Sequence, residues 1–250
     1  MISYQDYTIQ DIPVTLYGDH AEQVFLYVHG LGGERKEAAR FAALACPMGA
    51  QVLSVELPKH GERQNEPTPF TAWTVGEELQ LVAKELRRYW SHIGCYAVSF
   101  GAYCVLTGLG EKRFLPLMLQ SPMVDLADWI RVRMARYHIT EADLRAQGSI
   151  DTPAGTLDFD TLSRAKAARV NCCSDAYILC AKDDAEIAND TVLAFAKQFD
   201  AKSTLLPDME HWFHTPTQLA ALAAWERGVL CATLQNENPT KGESQCKSSY

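Results

Sequence analysis

The stretch Ile93-Gly94-Cys95-Tyr96-Ala97-Val98-Ser99-Phe100-Gly101-Ala102 decides how the rest of the chain is read. A short apolar run ends abruptly in a serine, with a small residue two positions to either side, Ala97 and Gly101. This pattern predicts a nucleophile elbow, in which a strand turns sharply into a helix and the apical serine adopts a strained backbone conformation. The neighbours at minus two and plus two must be small because longer side chains would collide at so tight a turn. The usual G-x-S-x-G becomes A-V-S-F-G here, so a methyl group at Ala97 has to be accommodated where glycine is more common.

Outward from the elbow, short apolar runs alternate with longer amphipathic ones, as expected of repeated βα units around a mostly parallel sheet. Strands are expected over 14–17, 24–28, 52–55, 93–98, 115–119, 177–181 and 204–206. The run at 93–98 alternates poorly, as a central parallel strand buried on both faces should. Helices are expected over 34–45, 74–90, 191–199 and 218–230, with another starting directly after Ser99. In the second of these, Val75, Leu79, Leu81, Val82, Leu86 and Trp90 supply an apolar stripe. From 123 to about 170 the pattern changes to arginine-rich helical segments with a Pro153-Ala154-Gly155 turn, which predicts a cap inserted over the sheet. The segment 236–250 is polar and nearly devoid of apolar residues, so it cannot offset its ordering entropy and is expected to be disordered. The expected organisation is one domain over 1–235 carrying this insertion.

Composition excludes several classes. Of 250 residues, 47% are hydrophobic and 22% charged, the profile of an ordinary globular protein. A net charge of −8 argues against a surface built to neutralise nucleic-acid phosphates, which requires a basic face. No apolar run approaches the roughly eighteen residues of a membrane span. The opening residues lack the basic and apolar regions of a secretory signal, so a cytoplasmic location is expected. The eight cysteines are scattered without a C-x-x-C spacing, and Cys95, Cys104 and Cys180 fall inside apolar segments. They read as reduced structural thiols, not as a disulfide frame or a zinc site.

Acyl transfer by serine needs a base, a group that orients the base, and preorganised donors for the oxyanion. The base is expected at His211, in a loop between the last strand and the last helix, in preference to His214, whose place next to Thr215-Pro216 suits a helix cap. A zinc reading of this pair needs further ligands, and nothing in the sequence points to them. The acid should follow the strand at 177–181, where Lys182-Asp183-Asp184 offers two aspartates; spacing from the small residue at the strand end favours Asp184. The oxyanion donors are expected to be the backbone N–H groups of Phe100 and of Leu31, the latter in the loop His29-Gly30-Leu31-Gly32-Gly33. His29, Gly30 and Trp212 are the candidates to touch substrate. Neither a G-K-[ST] nor a G-x-G-x-x-G pattern accompanies the glycine loop, so a phosphate cradle is not expected.

From His29-Gly30 through Ser99 to His211 the chain resembles the α/β-hydrolase superfamily over nearly its whole length, and the order Ser99, Asp184, His211 is the chain order of that superfamily. The segment Leu57-Pro58-Lys59-His60-Gly61-Glu62-Arg63 is similar to an H-G-x-R loop of esterases related to the prolyl oligopeptidase and dienelactone hydrolase branches. Ala97 and Ala102 depart from the family pattern. The resemblance implies a Ser-His-Asp carboxylesterase acting on a small-molecule ester, with no metal and no organic cofactor. A serine apex excludes members that use aspartate there, such as dehalogenases and epoxide hydrolases. Thioesterase, small peptidase and an inactive binding protein on the same scaffold stay open. The arginines of Trp129-Ile130-Arg131-Val132-Arg133-Met134-Ala135-Arg136 form a solvated cap face or attract an acidic substrate group.

Overall fold

The computed structural model describes residues 2–110, 114–153 and 155–234. In chain order the strands are β1 (Tyr4–Ile9), β2 (Ile12–Tyr17), β3 (Gln23–Val28), β4 (Ala50–Val55), β5 (His92–Val98), β6 (Leu117–Gln120), β7 (Ser149–Thr152), β8 (Gly155–Asp158), β9 (Ala176–Ala181) and β10 (Lys202–Leu206). The helices are α1 (Ala38–Ala45), α2 (Ala72–Tyr89), α3 (Phe100–Gly108), α4 (Leu126–Arg136), α5 (Glu141–Gln147), α6 (Phe159–Ala167), α7 (Asn189–Gln198) and α8 (Pro216–Leu234). Eight strands form one sheet in the order β1-β2-β4-β3-β5-β6-β9-β10, antiparallel at the β1-β2-β4 end and parallel from β4 onward.

The parallel strands other than the edge strand β10 are buried on both faces, and the period of two divides their side chains between apolar clusters. Val24, Leu26, Val28, Cys95 and Ala97 face the cluster that includes α2 and α3, whereas Phe25, Tyr27, Tyr96 and Val98 face the one that includes α1 and α8. β3 and β5 lie side by side in register, Val28 opposite Ala97, so the chain leaves both strands at neighbouring points on their carboxyl edge. The glycine loop and the elbow therefore meet.

The segment between β6 and β9 carries α4, α5, the β7-β8 hairpin and α6. Leu126, Ile130 and Met134 of α4 are buried in the cluster on the α2 side, which anchors the inserted segment to the body of the fold.

Several expectations need correction. β1 is absent from the sequence reading because Tyr4-Gln5-Asp6-Tyr7-Thr8 lies mostly exposed at the sheet edge. The hairpin that joins it to β2 turns through Gln10 and Asp11, both at positive φ, without the Asn-Gly or Asp-Gly pair that signals such a turn. The helix expected over 34–45 is a short 3-10 turn, Arg35–Glu37, followed by α1. Leu81 is exposed, so the stripe on α2 runs through Val75, Leu79, Val82 and Leu86. The strand expected over 115–119 begins only at Leu117. Cys46, Cys95, Cys104, Cys172, Cys173 and Cys180 are free, but Cys231 is disulfide-bonded, contrary to the expectation of reduced thiols throughout. The tail at 236–250 lies outside the described residues. No described helix is long and apolar enough to cross a membrane.

Candidate active site

Ser99 stands between β5 and α3 with φ 49° and ψ −117°, a conformation disfavoured for any residue with a Cβ. Its neighbours hold it there. Ser99 N–H donates to the Gln120 carbonyl at 3.0 Å, and its own carbonyl accepts from Ala102 N–H at 3.0 Å and Met123 N–H at 3.1 Å. The need for a small residue at plus two is direct, because a Cβ on Gly101 would come within 2.3 Å of the His29 carbonyl oxygen. Ala97 is fully buried within β5, so the methyl group at minus two is absorbed by the core.

The three sequence-predicted side chains come together. Ser99 Oγ lies 2.9 Å from His211 Nε2, and His211 Nδ1 lies 2.7 Å from Asp184 Oδ2. The other carboxylate oxygen of Asp184 accepts from Glu186 N–H at 2.8 Å and Ile187 N–H at 2.9 Å. With Nδ1–H donated to Asp184, the Nε2 lone pair faces the serine hydroxyl and can take its proton. Asp183 is exposed. His214 is exposed as well, with Nδ1 donating to the Trp212 carbonyl at 2.6 Å. The cap of α8 is instead Thr215 with Gln218: Gln218 Oε1 accepts from His214 N–H and Thr215 N–H, and Thr215 Oγ1 accepts from Gln218 N–H.

The glycine loop abuts the serine. A Cβ on Gly30 would sit 3.3 Å from Ser99 Cβ, so the loop backbone passes as near as the elbow permits. Leu31 is half exposed, and neither its N–H nor that of Phe100 is hydrogen-bonded to another of the described residues. Both N–H groups therefore remain available as hydrogen-bond donors.

The loop is held from behind by groups that sequence reasoning left without a role. His60 Nε2 accepts from Gly32 N–H at 3.0 Å while its Nδ1 donates to the Pro58 carbonyl at 2.8 Å. This pattern needs a neutral imidazole, and burial lowers the pKa of His60, which favours that form. Arg63 forks onto Glu78 of α2 at 2.7 and 2.6 Å and also donates to the Glu56 carbonyl at 2.9 Å, so the segment carrying His60 is fixed to α2 and to the end of β4. Gly61, at φ 47°, lets that segment lie against the Glu56 carboxylate, where a Cβ would meet Oε2 at 2.2 Å. The H-G-x-R pattern was visible, but nothing in its composition shows that the histidine faces the glycine loop.

His29 is placed differently from the expectation that it touches substrate. Its ring is fully buried, with Nδ1 donating to the Gly30 carbonyl at 2.8 Å and Nε2 within 3.2 Å of both Leu57 N and Glu56 Oε1, so it joins the ends of β3 and β4. Gly30 and the half-exposed Trp212 line a cleft whose wall also includes Val98 but not Ser99. On α4, Arg133 is buried against the Trp129 ring, 3.4 Å from its centroid, and donates to Glu186 at 2.6 Å, whereas Arg131 and Arg136 face solvent. Among the described residues, no group of three or more His, Cys, Asp or Glu side chains is placed to hold a metal.

No protein-family model matches the chain, and no curated protein matches it in sequence. Its likenesses are structural. Est1E from Butyrivibrio proteoclasticus, with ferulic acid bound, superposes with a TM-score of 0.69 at 16% identity, over 92% of this chain and 99% of that one. The α/β hydrolase domain-containing protein 10 from mouse gives 0.67 at 10% identity, over 89% and 96%. XC6422 from Xanthomonas campestris, described as an α/β serine hydrolase without a lid, gives 0.61 at 15% identity, over 92% and 93%. Sheet order, elbow and these likenesses agree that the chain has the fold of the α/β-hydrolase superfamily.

Proposed function

We propose that this chain is a serine hydrolase that cleaves small carboxylic esters through an acyl-enzyme intermediate. The observation that carries the reading is the continuous hydrogen-bonded line from Ser99 Oγ through His211 to Asp184, at 2.9 and 2.7 Å. In the proposed mechanism Ser99 Oγ attacks the ester carbonyl as its proton passes to His211 Nε2, and the carbonyl oxygen becomes an oxyanion held by Leu31 and Phe100 N–H. Collapse breaks the bond to the alcohol oxygen, which leaves with the proton from His211. A water then loses a proton to His211 and attacks the acyl carbonyl. The second collapse frees the acid and returns the proton to Ser99. Asp184 keeps the imidazole in the required tautomer and stabilises its charged form. The chemistry of these residues calls for no cofactor.

Support for a small acid as product comes from Est1E, which shares the fold and binds ferulic acid, a small aromatic carboxylic acid. The test is a hydrolysis panel of p-nitrophenyl acetate, an acyl-CoA and an aminoacyl anilide. Turnover of the acetate that vanishes in Ser99→Ala is expected. Preferential turnover of the thioester or the anilide moves the reading to a thioesterase or a small peptidase, and no turnover of any substrate by folded protein refutes it.

A further inference from the structure

A cleft of about 440 Å³ opens between the glycine loop, the start of α1 and the loop that carries His211; its wall includes the chain neighbours of Ser99 and His211 but not those two residues themselves. Gly30 and Val98 bring its wall to the elbow, and Trp212 brings it to the residue after His211. Its volume suits part of a small ligand. Three features of the wall point to one kind of chemistry.

The first is charge. Arg40 and Glu226 neutralise each other through a two-pronged ion pair, both bonds 2.6 Å long. That leaves the Glu37 carboxylate, which has no ion pair among the described residues. It folds over the glycine loop, 2.9 Å from the point where a Cβ on Gly33 would lie, and it also accepts from Glu34 N–H at the start of the 3-10 turn. Glu37 is exposed at the surface, and partial burial of its carboxylate against the glycine loop raises its pKa. A helix-capping role alone explains the bond to Glu34 but not the exposure of this acid to the cleft.

The second feature is Tyr27. Only 3% of this residue is exposed, it lines the cleft, and no hydrogen bond to its hydroxyl is found among the described residues, although the oxygen is not one of the atoms sealed from solvent without a partner. An unpaired phenol oxygen at a cleft wall is open to a ligand or to water. The third is the aromatic character of the remaining wall, where Trp212 and Phe213 join Tyr27. One unpaired carboxylate, the half-exposed Trp212 ring and an unpaired phenol oxygen together make a setting that attracts an ammonium ion.

We propose that this cleft binds an alkylammonium group, so that the esters the enzyme prefers carry a protonated or quaternary amine on one side of the scissile bond. The inference rests on the esterase reading for its catalytic consequence, but not for the binding itself. Carboxylate-bearing esters are disfavoured, because Arg40 has already spent its charge on Glu226.

The test measures n-butylammonium, n-butanol and butyrate binding by calorimetry, on wild-type protein and on Ser99→Ala. Only the ammonium should bind measurably, and equally to both proteins. Glu37→Gln keeps an acceptor for Glu34 N–H while removing the charge, and it should weaken ammonium binding about tenfold or more. Tyr27→Phe keeps the ring and should weaken it by a smaller factor. In parallel, a 4-aminobutyrate and a pentanoate p-nitrophenyl ester, together with an acylcholine and its neutral 3,3-dimethylbutyl counterpart, are compared by kcat/KM. In at least one pair the cationic ester should lead by about tenfold, and Glu37→Gln should bring the two members level. Butyrate binding in preference to ammonium, or ammonium binding unaffected by Glu37→Gln, overturns the proposal. Ammonium binding that depends on Glu37, in a protein that hydrolyses no ester, sinks the esterase reading and leaves the binding site standing.

Discussion

Ser99, Asp184 and His211 lie far apart in the chain and within hydrogen-bond reach in the fold, and the last two each have a neighbour of the same type, Asp183 and His214, that serves as a control. His211→Ala should lower turnover on the order of 10³-fold or more, while His214→Ala, which removes an exposed ring, should be far milder. Asp184→Asn should likewise cost more than Asp183→Asn, and steady-state kinetics on the four variants checks both pairs. Ser99 and Asp184 were legible in the sequence because each follows a strongly apolar run and so had to lie near a strand end, and His211 because it falls in the loop between the last strand and the last helix. His60 was not, since a histidine in a polar, proline-containing loop has no periodicity to show which way it points. Its bond to Gly32 N–H makes it a positioning residue for the loop that carries Leu31. His60→Ala should lower kcat with little change in KM, and His60→Gln, whose amide oxygen can accept the same N–H, should restore part of the loss. Its titration adds a pH signature. Because burial holds the pKa of His60 below its ordinary 6.5, the unfolded chain binds this proton more readily than the folded one. The stability it contributes is complete above that ordinary value and declines as pH falls below it. Replacing His60 with Gln should flatten this part of a plot of unfolding free energy against pH.

At the scale of elements, the parallel strands were read correctly in kind because double-sided burial leaves short runs of apolar residues, whereas β1 and the β7-β8 hairpin were missed. Both β1 and that hairpin lie largely at the surface, where few residues need be apolar. The contact between the turn after β3 and the start of α3 follows from register and is the tightest constraint near the site. Gly101→Ala places a methyl group where the His29 carbonyl stands, so the two turns must separate. The expected cost is about 1–3 kcal/mol of stability, measured by urea unfolding, with a further loss of activity as Leu31 moves away from Ser99. A variant with wild-type stability and turnover would show that the two turns have slack.

Across the molecule, α1 and α8 are joined by the Arg40–Glu226 pair, which spans 186 positions and pins the helix following the His211 loop to the helix following the glycine loop. Glu226 is wholly buried, while 31% of the Arg40 side chain remains exposed. Arg40→Met therefore strands a carboxylate in the core and should cost about 3–5 kcal/mol, whereas Glu226→Gln should cost less because the freed guanidinium keeps access to water. Thermal unfolding of the two variants tests this asymmetry. Glu226 does interrupt the buried stripe of α8, between Leu222 and Leu230, but nothing in the sequence says which of the distant cations answers it. The claim on which the whole account turns is that the Ser99 hydroxyl is a nucleophile activated by His211. Intact-mass measurement after treatment with a fluorophosphonate tests it most directly: the native protein should gain one phosphonyl group, Ser99→Ala none, and His211→Ala should react far more slowly. Equal modification of the native protein and Ser99→Ala, or no modification of folded native protein, would contradict it.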